Sequence, residues 1–189
     1  MAGAVLKATG KLNGIDLDYL GETIEAIKAD PASGMTKFRV TSSWQGQTRS
    51  ETKVRSYVLG GQEIEREFQF RTDEPTELCG TNQFPNPQEY LMGALNACMM
   101  VGYVAACALN GIQLEKLEIE TEGDIDLRGF LAIDPNVIPG YDTISYTVRI
   151  QGDGTPEQFA DIHRFVQKTS PNFYNIANAI QLNSKLVVE

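Results

Sequence analysis

The chain has 189 residues, 42% hydrophobic and 22% charged, which is the make-up of a globular protein and excludes a disordered or fibrous one. Twenty-five acidic residues against 16 basic ones leave a formal charge of −9, which argues against the basic, phosphate-tracking surface of a nucleic-acid binder and against anionic membranes. Three irregularly spaced cysteines exclude a secreted disulfide framework, and a single histidine excludes a multi-histidine metal site. The start MAGAVLKATGKLNG carries neither a long apolar core nor a cleavage site, so a reducing, cytoplasmic setting is expected. One domain over 1–189 is expected, because a chain this long buries roughly 70% of its unfolded surface without covalent staples.

Leu17, Leu20, Ile24 and Ile27 recur at helical spacing between Asp16 and Ala29, and Asp30 before Pro31 stops that short amphipathic helix. Phe38, Val40, Ser42 and Trp44 then read as one face of a strand, and Val54, Ser56 and Val58 as one face of the next. Gly60 and Gly61 turn the chain into a third strand over Gln62 to Arg71. Thr72 to Pro87 is too broken by proline for regular structure and predicts a long connection of the kind that often carries function.

Asn86, Pro87 and Glu89 predict a capped helix start, with the run continuing to about Asn110 and stopped by Gly111. Between Gly93 and Leu109 only Asn96 is strongly polar, so the pattern predicts a helix buried all round. The run is shorter than the about 20 apolar residues of a membrane span, which makes it a core helix. Gly93, Ala97, Gly102 and Ala105 keep it slim enough for another helix, or a second copy of the chain, to approach closely.

Leu117, Ile119 and Thr121 alternate with Glu118, Glu120 and Glu122, and Ile144, Tyr146, Val148 and Ile150 repeat the pattern, giving two half-buried strands joined by a second long connection over Gly123 to Gly140. Thr155, Pro156 and Gln158 start another capped helix, which Ser170 and Pro171 break, and Leu182 to Val188 reads as a last short strand. The order of elements is that of an α+β fold built on antiparallel strands and a long central helix.

Cys98, in the middle of the long helix, has two readings: a small core hydrophobe, or a reactive thiol. It lies about three turns from the helix start, beyond the reach of the helix-end dipole, and its own helix carries no lysine or arginine. A reactive Cys98 therefore needs a cation from elsewhere. Cys107 is a further nine residues along, a rotation of about 900°, which puts it on the opposite face and in the core. Cys79 sits in the connection ahead of the helix. Asp124, Asp126 and the Glu118 to Glu122 face read as solvated acid rather than metal ligands, and His163 as a boundary residue. Neither a phosphate-cradling loop nor a nucleophile elbow occurs, and no metal or cofactor is expected.

The segment NPQEYLMGALNAC from Asn86 to Cys98, then EGDIDLRGF from Glu122 to Phe130 and SPNFYN from Ser170 to Asn175, resembles the OsmC/Ohr family of osmotically induced and organic-hydroperoxide-resistance proteins. The resemblance runs from about Thr36 to the C-terminus and leaves 1–34 as an N-terminal helical extension. It implies an intertwined homodimer with sites at the subunit interface. It also implies that Cys98 is the thiol that attacks a hydroperoxide, with an arginine and a glutamate holding the thiolate. Arg71 is the best match for that arginine, with Arg49 and Arg55 as fallbacks. The glutamate position holds Gln88, with Glu89 one residue later, and the family's resolving cysteine is Ser170. Serine forms no disulfide, so a sulfenic acid at Cys98 would need an external thiol reductant or Cys79.

Three functions follow from this reading. The first is a thiol peroxidase resolved by an outside thiol. The second is a noncatalytic dimer that binds an apolar small molecule on a peroxidase scaffold. The third is an acidic interaction protein.

Overall fold

The computed structural model describes residues 9–188, which gather into two compact units. One comprises 16–93 with 9–11, the other 94–188 with 12–15. The short strands β1 (Lys11–Leu12) and β2 (Ile15–Asp16) form a hairpin that the hydropathy pattern did not announce. The helix α1 (Leu17–Ala29) is where the spacing put it, with the Asp16 carboxylate accepting the Tyr19 amide as its cap.

In the first unit β3 (Thr36–Phe38) and β4 (Thr41–Trp44) lie along one edge of β5 (Ser50–Leu59), and β6 (Gln62–Thr72) lies along the other, all antiparallel. This is the three-stranded meander with its first strand interrupted. The interruption corrects the expected face: the register steps by one residue between Phe38↔Tyr57 and Thr41↔Lys53. Phe38 therefore stacks on Tyr57, while Ser42 and Trp44 share the other face with Thr52 and Ser50.

The connection from β6 to the long helix is irregular apart from a 3₁₀ turn at Thr76–Leu78. It is wrapped around Asp73, whose carboxylate is fully buried and accepts from the hydroxyls of Thr48 (2.7 Å) and Thr81 (2.5 Å) and the amides of Glu74, Thr81 and Gln83. Gly80 closes the wrap, since a Cβ there would lie 1.7 Å from the Glu74 carbonyl oxygen.

The helix α2 (Pro87–Leu109) opens with the reciprocal bonds of a capping box, the Asn86 amide to Glu89 Oε2 (2.7 Å) and the Glu89 amide to Asn86 Oδ1 (2.9 Å). Gly111, at φ 73°, ends it. By length and composition α2 is long and apolar enough to cross a membrane, but one side of it is the core of the second unit.

The second unit continues with β7 (Leu114–Gly123), α3 (Leu127–Phe130), β8 (Ile144–Gly152), α4 (Pro156–Thr169) and α5 (Pro171–Ala177), with β7 and β8 paired antiparallel. Its core joins Leu95, Met99, Tyr103 and Cys107 of α2 to Ile119 of β7 and to Ile162 and Val166 of α4. Each large side chain so buried contributes roughly 1.5–3 kcal/mol. Gly102 lets α4 come close, its missing Cβ only 3.2 Å from a Val166 methyl. Asn96, the lone polar group of the apolar run, is bonded through both its nitrogen and its oxygen: it donates to the Ile119 carbonyl and accepts from Thr121.

Two further expectations are corrected. The long helix is not buried all round: Val101 is 70% and Leu91 41% exposed, and Ala94 and Ala97 are exposed on the same side. Among the described residues nothing covers that stripe. Leu182 to Val188 forms no strand, and Leu182 and Leu186 stand almost fully exposed, because alternation makes a strand only where a neighbour takes up the backbone hydrogen bonds. Pro171 does break α4, but it is also the first residue of α5.

Candidate thiol site

The joint between α4 and α5 is built on Ser170. Its amide donates to the Val166 carbonyl to finish α4, and its carbonyl accepts the Tyr174 amide to start α5. Its hydroxyl oxygen accepts the Phe173 amide at 3.4 Å. That leaves the hydroxyl proton free to point elsewhere, and it points at Cys98: Ser170 Oγ donates to Cys98 Sγ at 3.3 Å. Ser170 is buried and Cys98 partly exposed. One turn ahead of Cys98, the Asn172 side chain donates to the Ala94 carbonyl at 2.9 Å, a second strap holding the start of α5 to α2. Two residues 72 positions apart in sequence are thus in contact.

Cys107, on the opposite face of α2, is fully buried in the core, and that burial pushes its thiol up to about 11. Nearby, burial also raises the Tyr103 hydroxyl, which hydrogen-bonds His163 Nδ1, and Gln167 holds the Tyr146 hydroxyl at 2.7 Å. His163 is half-buried at this boundary.

A family model for OsmC-like proteins matches residues 80–185, more than half the chain and including both Cys98 and Ser170. The chain belongs to the OsmC-like family. Its sequence is 26% identical to the uncharacterized protein YmaD of Bacillus subtilis (strain 168) over 115 residues, 61% of this chain and 73% of that one. Its fold is similar to that of an OsmC-like protein from Mycoplasma pneumoniae, with a TM-score of 0.57 at 17% identity over 75% of this chain and 87% of the other. It is likewise similar to a Psychrobacter arcticus 273-4 protein named for osmotic stress induction and detoxification response, with a TM-score of 0.52 at 16% identity over 74% and 87%. Both likenesses concern the fold.

The remaining candidates of this OsmC-like chain lie in the first unit. Arg71, on β6, holds Glu51 through its Nε at 3.0 Å and lies over the Phe84 ring, while its carbonyl accepts the Tyr90 hydroxyl. Hydrogen bonds from Arg71 and Lys53 hold the Glu51 carboxyl below its ordinary value. Glu89 is exposed and engaged in the helix cap, and Gln88 beside it is half-buried. Cys79 is exposed at the end of the 3₁₀ turn, Arg55 is exposed on β5, and the buried Nε of Arg49 has no hydrogen-bond partner among the described residues. All three arginines lie ahead of the span that the family model matches. No group of three or more metal-binding side chains occurs among the described residues. Asp126 instead caps α3 and pairs with Arg128, and Glu118 and Glu120 pair with Arg149.

Sequence reading missed Asp73, Asn172 and the Tyr103–His163 pair. Asp73 ahead of a Glu-Pro turn was the one local signal, since aspartate there commonly ties down its own loop.

Proposed function

We propose that this OsmC-like protein acts in peroxide stress, with Cys98 reducing organic hydroperoxides and an external thiol restoring it. The observation that carries the reading is the partly exposed residue Cys98, whose sulfur accepts the Ser170 hydroxyl at 3.3 Å. A thiol sealed in a core would have no such opening and no such donor.

In the proposed cycle the Cys98 thiolate attacks the terminal oxygen of ROOH, and the O–O bond breaks. RO⁻ leaves and takes up a proton from solvent to become ROH, and the sulfur, carrying the transferred OH, becomes a sulfenic acid. A first external thiol R′SH condenses with it, releasing water and forming a mixed disulfide. A second R′SH displaces R′SSR′ and returns Cys98 as the thiol. A reducing cytoplasm would supply those thiols. The exposed apolar stripe of Leu91, Ala94, Ala97 and Val101 supports a homodimer, in which a second copy covers it. The test is hydroperoxide consumption with trapping of a sulfenic acid at Cys98. Activity no greater than that of Cys98→Ser would sink the reading.

Ser170 also favours a second reading, a noncatalytic dimer that binds an apolar small molecule, since the neighbouring side chain cannot resolve an oxidised sulfur. Ligand binding that survives Cys98→Ala, in a protein that leaves hydroperoxide untouched, is its signature.

A further inference from the structure

We infer that Ser170 is the hydroxyl donor that positions and readies the Cys98 sulfur for attack, an assignment that rests on Cys98 being the reacting thiol. The argument is one of hydrogen-bond direction. A serine hydroxyl has one proton to give. Both backbone groups of Ser170 are spent on α4 and α5, and its oxygen already accepts the Phe173 amide. The proton is thereby left for Cys98 Sγ, 3.3 Å away, and burial at 4% exposure keeps water from competing for it. A donor aimed at sulfur favours the anion over the neutral thiol, and hydrogen bonds to charged acceptors are the stronger class.

Other groups of this unit are bonded elsewhere, exposed to solvent or sealed in the core. His163 is bonded to Tyr103 and Tyr146 to Gln167, Lys168 and Tyr174 are exposed, and Cys107 is sealed on the opposite face of α2. The Asn172 strap to the Ala94 carbonyl fixes the distance, so the donor is held in place before any substrate arrives. The serine therefore has a positive role: it forms no disulfide, but it readies the sulfur and leaves resolution to an outside thiol.

The experiment is the pH dependence of Cys98 alkylation in the full chain, with Cys79 and Cys107 replaced by alanine so that one thiol reports. Ser170→Ala is expected to move the midpoint up by about one pH unit, which lowers the thiolate fraction about tenfold below the midpoint. Ser170→Thr, which keeps the hydroxyl, is expected to stay near the parent. Where the alanine variant does not fold, Ser170→Thr and Ser170→Val have nearly the same shape and differ in the hydroxyl alone. Equal midpoints in whichever pair is measured overturn the inference. Hydroperoxide consumption by the parent is read in parallel. A shifted midpoint without consumption overturns the peroxidase reading and keeps the donor, and consumption without a shift does the reverse.

Discussion

Cys98 and Cys107 share one helix and one residue type, and they have opposite chemistry. Cys107 faces α4 and the β7–β8 pair, has no exposed surface and is pushed up to about 11 by desolvation. Cys98 faces the α4–α5 joint, is partly exposed and takes a hydrogen bond from Ser170. What separates them is the element laid across each, a closed apolar layer in one case and a polar helix joint in the other. The sharpest way to break the comparison is to remove each sulfur in turn. Cys98→Ser is expected to cut hydroperoxide consumption by at least about a hundredfold, as loss of a nucleophile does. Cys107→Ser should leave that rate within about twofold and instead lower stability by roughly 1–3 kcal/mol, because it buries a hydroxyl where none is needed. Steady-state kinetics and urea melts of the two variants decide it.

The joint itself can be sharpened by giving it a second sulfur. With oxygen and sulfur 3.3 Å apart, Ser170→Cys places a thiol within reach of Cys98 after a small side-chain adjustment. One equivalent of ROOH should then yield an intramolecular disulfide, one ROH and one water. Mass spectrometry would show the loss of two hydrogens and a peptide crosslink between α2 and the α4–α5 joint. The parent should instead accumulate a sulfenic acid that small external thiols capture. A crosslink to Cys79 in the parent would refute the external-thiol half of the proposal.

Features that depend on neighbours in sequence were legible in it. The capping boxes at Asn86–Glu89 and Thr155–Gln158 each span four residues, and both formed. Alternation in β7 and β8 survived because each strand finds the other within the same chain. Cys98 stood out because an apolar helix surrounds it. The contact with Ser170 was not legible as geometry, since it depends on how α4 ends against α2 across 72 residues. The last strand and the all-round burial of α2 failed for a common reason: each assumed a covering surface, and none lies there among the described residues.

Asp73 is the other illegible feature, and it contrasts with Cys98 as a buried charge that is fully satisfied. Burial alone would raise its carboxyl, but hydrogen bonds from Thr81, Thr48 and the Gln83 and Glu74 amides outweigh that and hold it far below the usual carboxylate range. A depressed folded-state value gives stability that is fully present above the unfolded value of about 3.9 and is lost as pH falls below it. Asp73→Asn should therefore produce the largest fall in melting temperature at neutral pH among these variants. It should also remove part of the parent's acid-induced loss, both read from thermal melts between pH 3 and 7. Unchanged melting would show that the wrapped connection is held by something else.

Cys107 supplies the opposite limb. Its raised value means that the fold keeps the proton which the unfolded chain releases above about pH 9, so stability is full below that pH and falls as pH rises toward 11. The loss should reach roughly 2–3 kcal/mol, with Tyr103, raised by the same burial, adding to it at still higher pH. Urea melts from pH 8 to 11 should show the fall, and Cys107→Ala should flatten it. A fall that persists unchanged in that variant would mean that the core around Cys107 opens before the thiol ionises.

Between the two cysteines lies Gly102, against which Val166 of α4 packs. A methyl added there would stand 3.2–3.3 Å from both Val166 methyls, tighter than ordinary contact but against side-chain atoms that can yield by a few tenths of an ångström. Gly102→Ala gains helix propensity of nearly 1 kcal/mol and loses a comparable or somewhat larger amount to overpacking. The expected net effect is a destabilisation of at most about 1 kcal/mol, the smallest in the series. Its value lies in what it does to the two thiols. The displaced α4 carries Val166 and, one turn on, Ser170, so the alkylation midpoint of Cys98 should move in Gly102→Ala while Cys107 stays protected. An unmoved Cys98 would show that α5, strapped by Asn172, places the Ser170 hydroxyl independently of where α4 lies.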